Sequence, residues 1–272
     1  MPIDPPRPIG VQLYTFRDET RPGAEAFGLD RPVLEALAST GFLGVETVDV
    51  PGGDPVAARR VLEDLGLAVT STHTRASPRD LDAFDRAAAD LAVLGSPRMI
   101  VSGRPFATLD ELDAFADELN AAAEVAARHG LRLALHNHDG EMQDVGDAGP
   151  AYRLLRDRLT PTVDFQLDIF WVVVGGRAPA DVIGELGDRV CSLHVKDGVK
   201  LPRSAASAEP FVNVAIGSGV VDAAAAIEAA GAHPAIEWLI VEFDHSAGPP
   251  IDAVRASYDY LVGRGLARGR GR

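Results

Sequence analysis

Cysteine is almost absent from this chain of 272 residues, in which Cys191 is the only one. A single cysteine forms no internal disulfide and supports no structural zinc site of the usual cysteine-rich kind. The first ten residues, MPIDPPRPIG, carry neither the basic segment nor the apolar segment of a signal peptide. We therefore expect a cytoplasmic protein in a reducing compartment.

Long hydrophobic runs and an excess of positive charge are also lacking. No apolar run approaches the roughly 18 residues of a membrane span, so we expect no membrane partner. Asp and Glu number 40 against 26 Lys and Arg, which gives a formal net charge of −14 and a pI near 4.9. Such a surface repels phosphate backbones, and we expect no nucleic-acid partner either.

What the chain does contain is a regular alternation of short β-rich runs and Ala-rich helical segments. The predicted strands are residues 9–16, 44–50, 67–74, 97–103, 131–138, 162–170, 190–198 and 238–246. No G-x-G-x-x-G follows the first strand, which argues against a dinucleotide-binding fold. Eight β/α units predict an α/β protein with a single (β/α)8 TIM barrel over residues 1–272, with residues 1–8 and 266–272 frayed.

Polar side chains stand where the predicted strands end, which is where barrels of this kind carry their active sites. They are Gln12, Tyr14, Arg17, Glu46, His73, Ser102, Arg104, His136, Asn137, His138, Asp168, His194, Lys196, Glu242 and Asp244. Asp168, His194 and Glu242 each interrupt an apolar strand, and an unpaired buried charge costs several kcal/mol. Because successive strands are neighbours, we expect these three side chains to converge on one cation.

A mixed set of histidine and carboxylate ligands suits a divalent cation of intermediate hardness. We expect one such ion, with Mn²⁺ as the first choice and Co²⁺, Zn²⁺ or Mg²⁺ as alternatives. Strand five offers two candidates for the fourth ligand. Glu141 lies in a loop that can fold back, whereas His136 stands at the strand tip, and the sequence leaves the choice open.

Several segments together resemble the sugar phosphate isomerase/epimerase family, the xylose-isomerase-like TIM barrels. They are VQLYTFRD, LHNHDGE, LDIFWVVVGG, LHVKD, AIGSGVVD, IVEFD and RASYDYL, spread over nearly the whole chain. The resemblance implies one divalent metal held from strands five to eight, where relatives commonly use Glu, Asp, His and Glu. Asp168, His194 and Glu242 match the last three, whereas His136 stands where many relatives have glutamate. Glu141 matches the carboxylate of a subgroup with an HNH-x-x-E signature.

The reaction that such a site supports is isomerisation or epimerisation of a sugar or keto-sugar through an enediolate, by proton transfer α to a carbonyl. We expect His136 and His138 to act as general acids or bases, Glu242 to bind metal and move the proton, and Lys196 to stabilise an oxyanion. The predicted substrate-binding residues are Gln12, Tyr14, Arg17, His73, Arg104 and Trp171.

Three alternatives remain open at this point. The first is a keto-sugar lyase, either an inosose-type dehydratase or a 3-keto-glycoside eliminating enzyme, since an enediolate can also expel a β-substituent. The second is an endonuclease IV-like DNA-repair enzyme, which the acidic composition disfavours. The third is a catalytically inactive sugar-binding module. The sugar, its stereocentre, its phosphorylation and the oligomeric state are also open, and a homo-oligomer is compatible with the sequence.

Overall fold

Eight parallel strands close into a barrel in the computed structural model, which describes residues 6–20, 29–202, 204 and 211–271. The strands are β1 (Arg7–Gln12), β2 (Gly44–Val48), β3 (Ala68–His73), β4 (Arg98–Ser102), β5 (Arg132–His136), β6 (Val163–Asp168), β7 (Val190–Val195) and β8 (Trp238–Val241). Each strand pairs with its neighbours in sequence, and β1 pairs with both β2 and β8. This closure confirms the predicted (β/α)8 TIM barrel.

Helices surround the barrel and cover the outer faces of the strands. They are α1 (Arg17–Thr20), α2 (Arg31–Thr40), α3 (Pro55–Asp64), α4 (Leu81–Leu94), α5 (Leu109–Arg128), α6 (Ala151–Arg158), α7 (Ile169–Val174), α8 (Pro179–Leu186), α9 (Ala223–Ala230) and α10 (Pro250–Gly263). In α5, Thr108 caps the first turn by accepting a hydrogen bond from the Glu111 amide, and Leu112, Phe115 and Leu119 are among the residues it buries. No helix within the described ranges is long and apolar enough to cross a membrane.

The sixth strand is shorter than the sequence predicts. The expected strand covered residues 162–170, but β6 ends at Asp168, whose carboxylate caps α7 by accepting hydrogen bonds from the amides of Phe170 (3.0 Å) and Trp171 (3.1 Å). The sequence of α7, IFWVVV, is rich in β-forming residues and has no helical period. The aspartate at its start decides the local structure, because aspartate is among the strongest N-terminal caps.

The prediction that both ends fray is wrong for the described parts of the termini. A short ninth strand, β9 (Ala267–Arg268), pairs with Arg7 and Pro8 of β1. Beyond it, the Arg270 amide donates to the carbonyl of Gly41, which ends α2, and its guanidinium donates to the carbonyl of Leu65, which ends α3. Basic side chains often satisfy carbonyls left free at helix ends, which gives this Arg-rich segment fixed partners. The remaining terminal residues, 1–5 and 272, lie outside the described residues.

The alternation of side chains along the strands places the polar residues together at the carboxyl end of the barrel. Residues two apart share a face, so Gln166 lies beside Asp168 in β6, and Ser192 lies beside His194 in β7. Neighbouring strands bring these pairs into register, since Asp168 is opposite His194. The polar residues therefore form two rows. Gln166 and Ser192 lie deeper in the barrel, and Asp168 and His194 lie nearer its mouth.

Candidate active site

Strands β5 to β8 bring four ionisable side chains together at the barrel mouth. His136 and Asp168 end their strands, His194 is the penultimate residue of β7, and Glu242 follows β8 directly. One ligand atom from each of Asp168, His194 and Glu242 lies within 4.8 Å of the others. The Nε2 atom of His136 is 4.0 Å from Oδ2 of Asp168. All four side chains are buried, so the structure brings the predicted residues together as one cluster.

Lys196 stands among three carboxylates of the same region. Its Nζ atom is 2.9 Å from Asp168, 2.7 Å from Glu242 and 3.0 Å from Asp244, and the residue is only 1% exposed. Burial lowers the pKa of Lys196, but the three carboxylates outweigh it and raise that pKa well above its ordinary value. The ammonium is therefore a fixed positive charge of the site. The chain contains only one other lysine, Lys200.

Glu46 lies directly beneath this cluster, although the sequence analysis gave it no role. Its carboxylate accepts hydrogen bonds from the amides of Gln12 (2.7 Å) and Gln166 (2.6 Å) and from the hydroxyl of Ser71. Nε2 of His194 is 2.5 Å from its Oε1 atom. Burial raises the pKa of Glu46, but the charge of His194 outweighs it, so this pKa is well below its usual value. Glu46 interrupts the apolar run GVETVDV, which is the same signal that singled out Asp168.

His194 is held between two carboxylates. Besides the Nε2 contact to Glu46, its Nδ1 atom is 2.7 Å from Oε2 of Glu242. Burial lowers the pKa of His194, but Glu46 and Glu242 outweigh it and raise the pKa to about 10. For Glu242, burial raises the pKa, but Lys196 and His194 outweigh it and hold it below its usual range. The metal-free cluster is thus a set of compensating buried charges, which is the arrangement that buried ions require.

His136 and His138 are neutral near pH 7, unlike His194. Burial lowers the pKa of His136 well below its ordinary value, and the positive charge of His194 adds to the effect. Burial also lowers the pKa of His138 to about 4, with a further contribution from Lys196. Within the described residues the ring of His138 has no hydrogen-bond partner, and it packs edge-on to His136 with ring centroids 5.0 Å apart. A neutral imidazole with free nitrogens can both accept and return a proton.

A cavity of about 410 Å³ opens above the cluster. Its lining consists of Gln12, Tyr14, Val48, His73, Thr74, Arg75, Ser102, His136, His138, Lys196, Glu242 and Asp244. All four residues that the sequence analysis assigned to catalysis line this cavity, as do three of the predicted substrate-binding residues, Gln12, Tyr14 and His73. The volume is within the range of pockets that enclose small molecules.

Three predicted substrate-binding residues do not line this cavity. Arg17 lines a different cavity, packs over the ring of Tyr14 and donates to the backbone oxygen of Asp244. Arg104 lies over the ring of Phe115, 4.8 Å from its centroid, and borders a different cavity. Trp171 is 3% exposed and packs in the wall of the barrel mouth. The three residues therefore pack around the cavity without lining it, and the spacing of the sequence does not predict this difference.

Glu141 also stands apart from the cluster. It belongs to neither of the two groups of potential metal ligands found among the described residues. Its Oε2 atom accepts a hydrogen bond from the His138 amide (2.8 Å), and its buried Oε1 atom has no partner. The carboxylate lies against Gly103, where an added Cβ would be 2.1 Å from Oε1. Of the two strand-five candidates, His136 belongs to one of these groups and contacts Asp168.

The substitution Glu141→Gln is expected to stabilise the protein at pH 8 by about 2–3 kcal/mol. Burial raises the pKa of Glu141 from 4.5 to about 7, so the folded state favours the protonated form. A raised folded-state pKa means that stability is full below pH 4.5 and is lost as the pH rises to about 7. Urea denaturation at several pH values checks this, since Glu141→Gln should flatten the profile between pH 4.5 and 7. An unchanged profile would contradict the assignment.

The donor set at the mouth suits a divalent cation. Asp168, His194 and Glu242 form one group of potential ligands, and His136 adjoins this group through the 4.0 Å contact of its Nε2 atom to Asp168. Oδ2 of Asp168 is buried and makes no hydrogen bond within the described residues, and its contact is an ion pair with the Lys196 ammonium at 2.9 Å, so this atom already faces a cation. Nitrogen and oxygen ligands of this kind match Mn²⁺, Co²⁺ or Zn²⁺. The residues therefore fit the predicted metal.

A second group of potential ligands consists of three histidines, His73, His136 and His194, whose ligand atoms also lie within 4.8 Å of one another. Nε2 of His73 is 2.8 Å from Oε1 of Gln166, and Nε2 of His194 faces Glu46. These two nitrogens are engaged by acceptors within the barrel. The group with two carboxylates is consequently the better cation site.

The closed barrel and the histidine–carboxylate cluster at its carboxyl end define a (β/α)8 protein with a polar site at the strand ends. The family model of the xylose isomerase-like TIM barrel matches residues 34–263, and the chain belongs to this family. The resemblance predicted from the sequence is thereby confirmed. No curated protein sequence matches the chain significantly.

Solved structures with the same fold carry several names. A sugar phosphate isomerase/epimerase from Parabacteroides distasonis is 22% identical with a TM-score of 0.80, covering 96% of this chain and 100% of that one. A probable 3-DHS dehydratase, AsbF from Bacillus anthracis, is 14% identical with a TM-score of 0.75, covering 94% and 99%. The IOLI protein with a bound zinc atom is 13% identical with a TM-score of 0.72, covering 95% and 98%. At these identities the likeness establishes the shared fold.

Proposed function

We propose that the protein is a divalent-metal-dependent isomerase or epimerase of a sugar or keto-sugar, acting by proton transfer α to a carbonyl. The observation that carries the proposal is the buried cluster of His136, Asp168, His194 and Glu242 at the floor of a cavity of about 410 Å³. Charged groups at this depth are costly unless they serve one another or a ligand, and perturbed pKa values in a cleft are typical of functional sites.

The four residues of the cluster would hold one cation, for which Mn²⁺ is the first choice. When bound, a divalent cation polarises a carbonyl and an adjacent hydroxyl as a Lewis acid. Asp168 and Glu242 supply the negative charge that such an ion requires, and His136 and His194 supply nitrogen ligands.

His138 is the residue proposed to move the proton. Its ring lines the cavity, is neutral, and makes no hydrogen bond within the described residues, so a nitrogen lone pair is available to a substrate C–H. Lys196 is held as a cation by three carboxylates and points into the same cavity. Its ammonium can donate to the oxygen on which negative charge develops as the α-proton leaves, which stabilises the enediolate.

Recognition of the sugar would involve Gln12, Tyr14 and His73, which line the cavity. Hydroxyl groups of a sugar need both donors and acceptors, and the phenol of Tyr14 and the imidazole of His73 offer either. Gln12 is oriented by its contacts, since its Oε1 atom accepts from the Tyr14 amide (3.0 Å) while its amide group donates to Glu46.

A keto-sugar lyase is the second candidate. Removal of the α-proton followed by loss of a β-substituent needs a base and a proton for the leaving group. His138 can take the α-proton and pass it to the leaving group, while the Lys196 ammonium stabilises the negative charge on the carbonyl oxygen. Support comes also from the shared fold of a protein named as a probable dehydratase. An inosose-type dehydratase and a 3-keto-glycoside eliminating enzyme both fit this chemistry.

Solvent proton exchange tests both reactions in one experiment. The protein is stripped with EDTA, reloaded with Mn²⁺ and incubated in D2O with ketoses, inososes and 3-keto-glycosides while NMR follows the α-proton. We expect deuterium incorporation into at least one compound. Incorporation without loss of water or aglycone identifies an isomerase or epimerase, whereas a new enone absorbance identifies a lyase.

The variant Asp168→Asn provides the inactive control, because it removes a ligand charge while keeping the shape of the side chain. Exchange at the same rate in this variant would place the chemistry elsewhere. If the Mn²⁺-loaded protein exchanges no proton of any compound, the proposed function is wrong.

A further inference from the structure

Gln166 can present its amide to the cluster in only one orientation. Its Nε2 group donates to Oε2 of Glu46 (2.6 Å) and lies 3.2 Å from the Ser192 hydroxyl. Glu46 also accepts hydrogen bonds from Gln12 and Ser71, so both oxygens of its carboxylate are acceptors. A flipped amide would turn its oxygen against this carboxylate. The Gln166 oxygen must therefore point the other way, towards the histidines.

This orientation determines which nitrogen of His136 carries the proton. Oε1 of Gln166 is 3.1 Å from Nδ1 of His136, and an amide oxygen can only accept. Nδ1 must then be protonated, and the neutral ring leaves its lone pair on Nε2. Nε2 is the atom that lies 4.0 Å from Oδ2 of Asp168. The lone pair is thus directed at the carboxylate side of the cluster.

Glu46 orients the ring of His194. It is 2.5 Å from Nε2 of that ring, which leaves Nδ1 as the nitrogen on the side of Glu242, 2.7 Å away. In metal sites, a second group that accepts from the far nitrogen commonly orients the histidine and fixes its tautomer. Here Gln166 on β6 fixes the tautomer of His136, whereas Glu46 on β2 fixes the ring orientation of His194, which is protonated on both nitrogens in the metal-free cluster.

We propose that Gln166 and Glu46 form a positioning layer, which sets His136 as the Nδ1–H tautomer and so makes its Nε2 atom the strand-five metal donor in place of Glu141. The metal part of this inference rests on the proposed function, whereas the tautomer does not. Both layer residues are fully buried, at 0% exposure. The register of strand pairing shifts immediately before each of them, at Val45/Glu46 and Phe165/Gln166. Such irregularities commonly re-aim a side chain near a functional site.

The tautomer is measured first, on the metal-free protein labelled with 15N-histidine. A two-bond 1H–15N correlation spectrum distinguishes protonated from bare ring nitrogens, and the His136 signals are assigned by their loss in His136→Gln. We expect wild-type His136 to be protonated at Nδ1 alone. In Gln166→Met, which keeps the length of the side chain but replaces the amide oxygen by a weakly accepting thioether, we expect a mixture of tautomers. A wild-type ring protonated at Nε2 would overturn the proposal.

The metal affinity is measured second, by the EPR signal of free Mn²⁺. We expect Gln166→Met to bind Mn²⁺ about 10–100-fold more weakly than the wild type, as is typical when a residue that orients a ligand is lost. We expect His136→Gln to weaken binding by at least about tenfold and Glu141→Gln to leave it within about twofold. Weaker binding in Glu141→Gln than in His136→Gln would refute the assignment of the ligand.

A matched control separates positioning from a loss of buried hydrogen bonds in general. Thr72 of β3 is fully buried, and its hydroxyl joins those of Thr47 (2.9 Å) and Ser96 (3.0 Å). Its side chain is on the opposite face of the strand from Ser71 and His73, which contact the layer. Thr72→Val should lower the melting temperature but leave the His136 tautomer and the Mn²⁺ affinity unchanged. If Thr72→Val and Gln166→Met shift both readouts equally, the layer has no specific role. A wild type that binds no Mn²⁺ refutes the metal-dependent function, while the tautomer spectra still decide whether the layer acts as proposed.

Discussion

Replacing Lys196 by methionine is expected to destabilise the metal-free protein by about 3–5 kcal/mol, the loss that follows when one partner of a buried ion pair is removed. The ammonium lies within 3.0 Å of Asp168, Glu242 and Asp244, and methionine keeps the stem but not the charge. Three carboxylates would then face one another without a fixed cation between them. Chemical denaturation in EDTA measures the change.

Added Mn²⁺ should reverse much of this loss. A cation that binds only the folded state stabilises it in proportion to its occupancy, and the repelling carboxylates of the Lys196→Met variant favour that occupancy. We therefore expect saturating Mn²⁺ to raise the melting temperature of the variant more than that of the wild type.

The other lysine of the chain supplies the matched control for this experiment. Lys200 is exposed, so Lys200→Met makes the same chemical change outside the cluster and should alter the free energy of unfolding by less than about 0.5 kcal/mol. If Lys196→Met were as stable as Lys200→Met in EDTA, the three contacts would contribute nothing to folding. If Mn²⁺ failed to stabilise the variant, the carboxylates would not form a cation site.

The barrel was predictable because its determinants are local and repeated. In each β/α unit a strand-like hydrophobic pattern is followed by a helical one. Eight such units in a row are compatible with few chain topologies. The position of a helix boundary is different, because a single side chain can decide it. Asp168 ends β6 and caps α7 through two backbone amides, and this contact outweighs the β propensity of the following residues.

The cluster was predictable only in part. Asp168, His194 and Glu242 were recognisable because each interrupts an apolar strand, and neighbouring strands bring such residues together. Glu46 gives the same signal, but period-two alternation alone does not say which face of β2 points into the barrel. Burial of Lys196 depends on carboxylates from other strands, which only the closed sheet brings within 3.0 Å.

The orientation of a side chain in a loop or short helix was beyond the sequence. Glu141 and His136 are five residues apart, and both are reasonable metal ligands on chemical grounds. The chain folds Glu141 against Gly103 and the His138 amide, whereas His136 remains on the strand and faces Asp168. Trp171 likewise packs in the wall of the barrel mouth, because α7 begins at residue 169 and Trp171 lies in its first turn.

The substitution Glu242→Gln is expected to reduce kcat/KM by about 10³-fold or more on any compound that the wild type exchanges, the scale on which loss of a charged catalytic group operates. Its carboxylate is 2.7 Å from both His194 and Lys196, and it is the cluster carboxylate that also lines the cavity. The neutral amide removes one of the two ligand charges. The amide also presents either an NH2 group or a weaker acceptor oxygen to His194 and Lys196, which are both donors.

Two measurements show whether the effect of Glu242→Gln arises at the site. The Mn²⁺ affinity should fall at least about tenfold, in contrast to a defect confined to substrate binding, which would raise KM alone. Glu237→Gln makes the same change five residues earlier, where the carboxylate is half exposed and pairs with Arg98 at 2.8 Å. This control should keep full activity and lose at most about 1 kcal/mol of stability. Lys196 and His194 hold the pKa of Glu242 below its usual range, so the wild-type carboxylate is ionised at neutral pH. A Glu242→Gln variant with full activity would therefore show that this charge takes no part in the reaction.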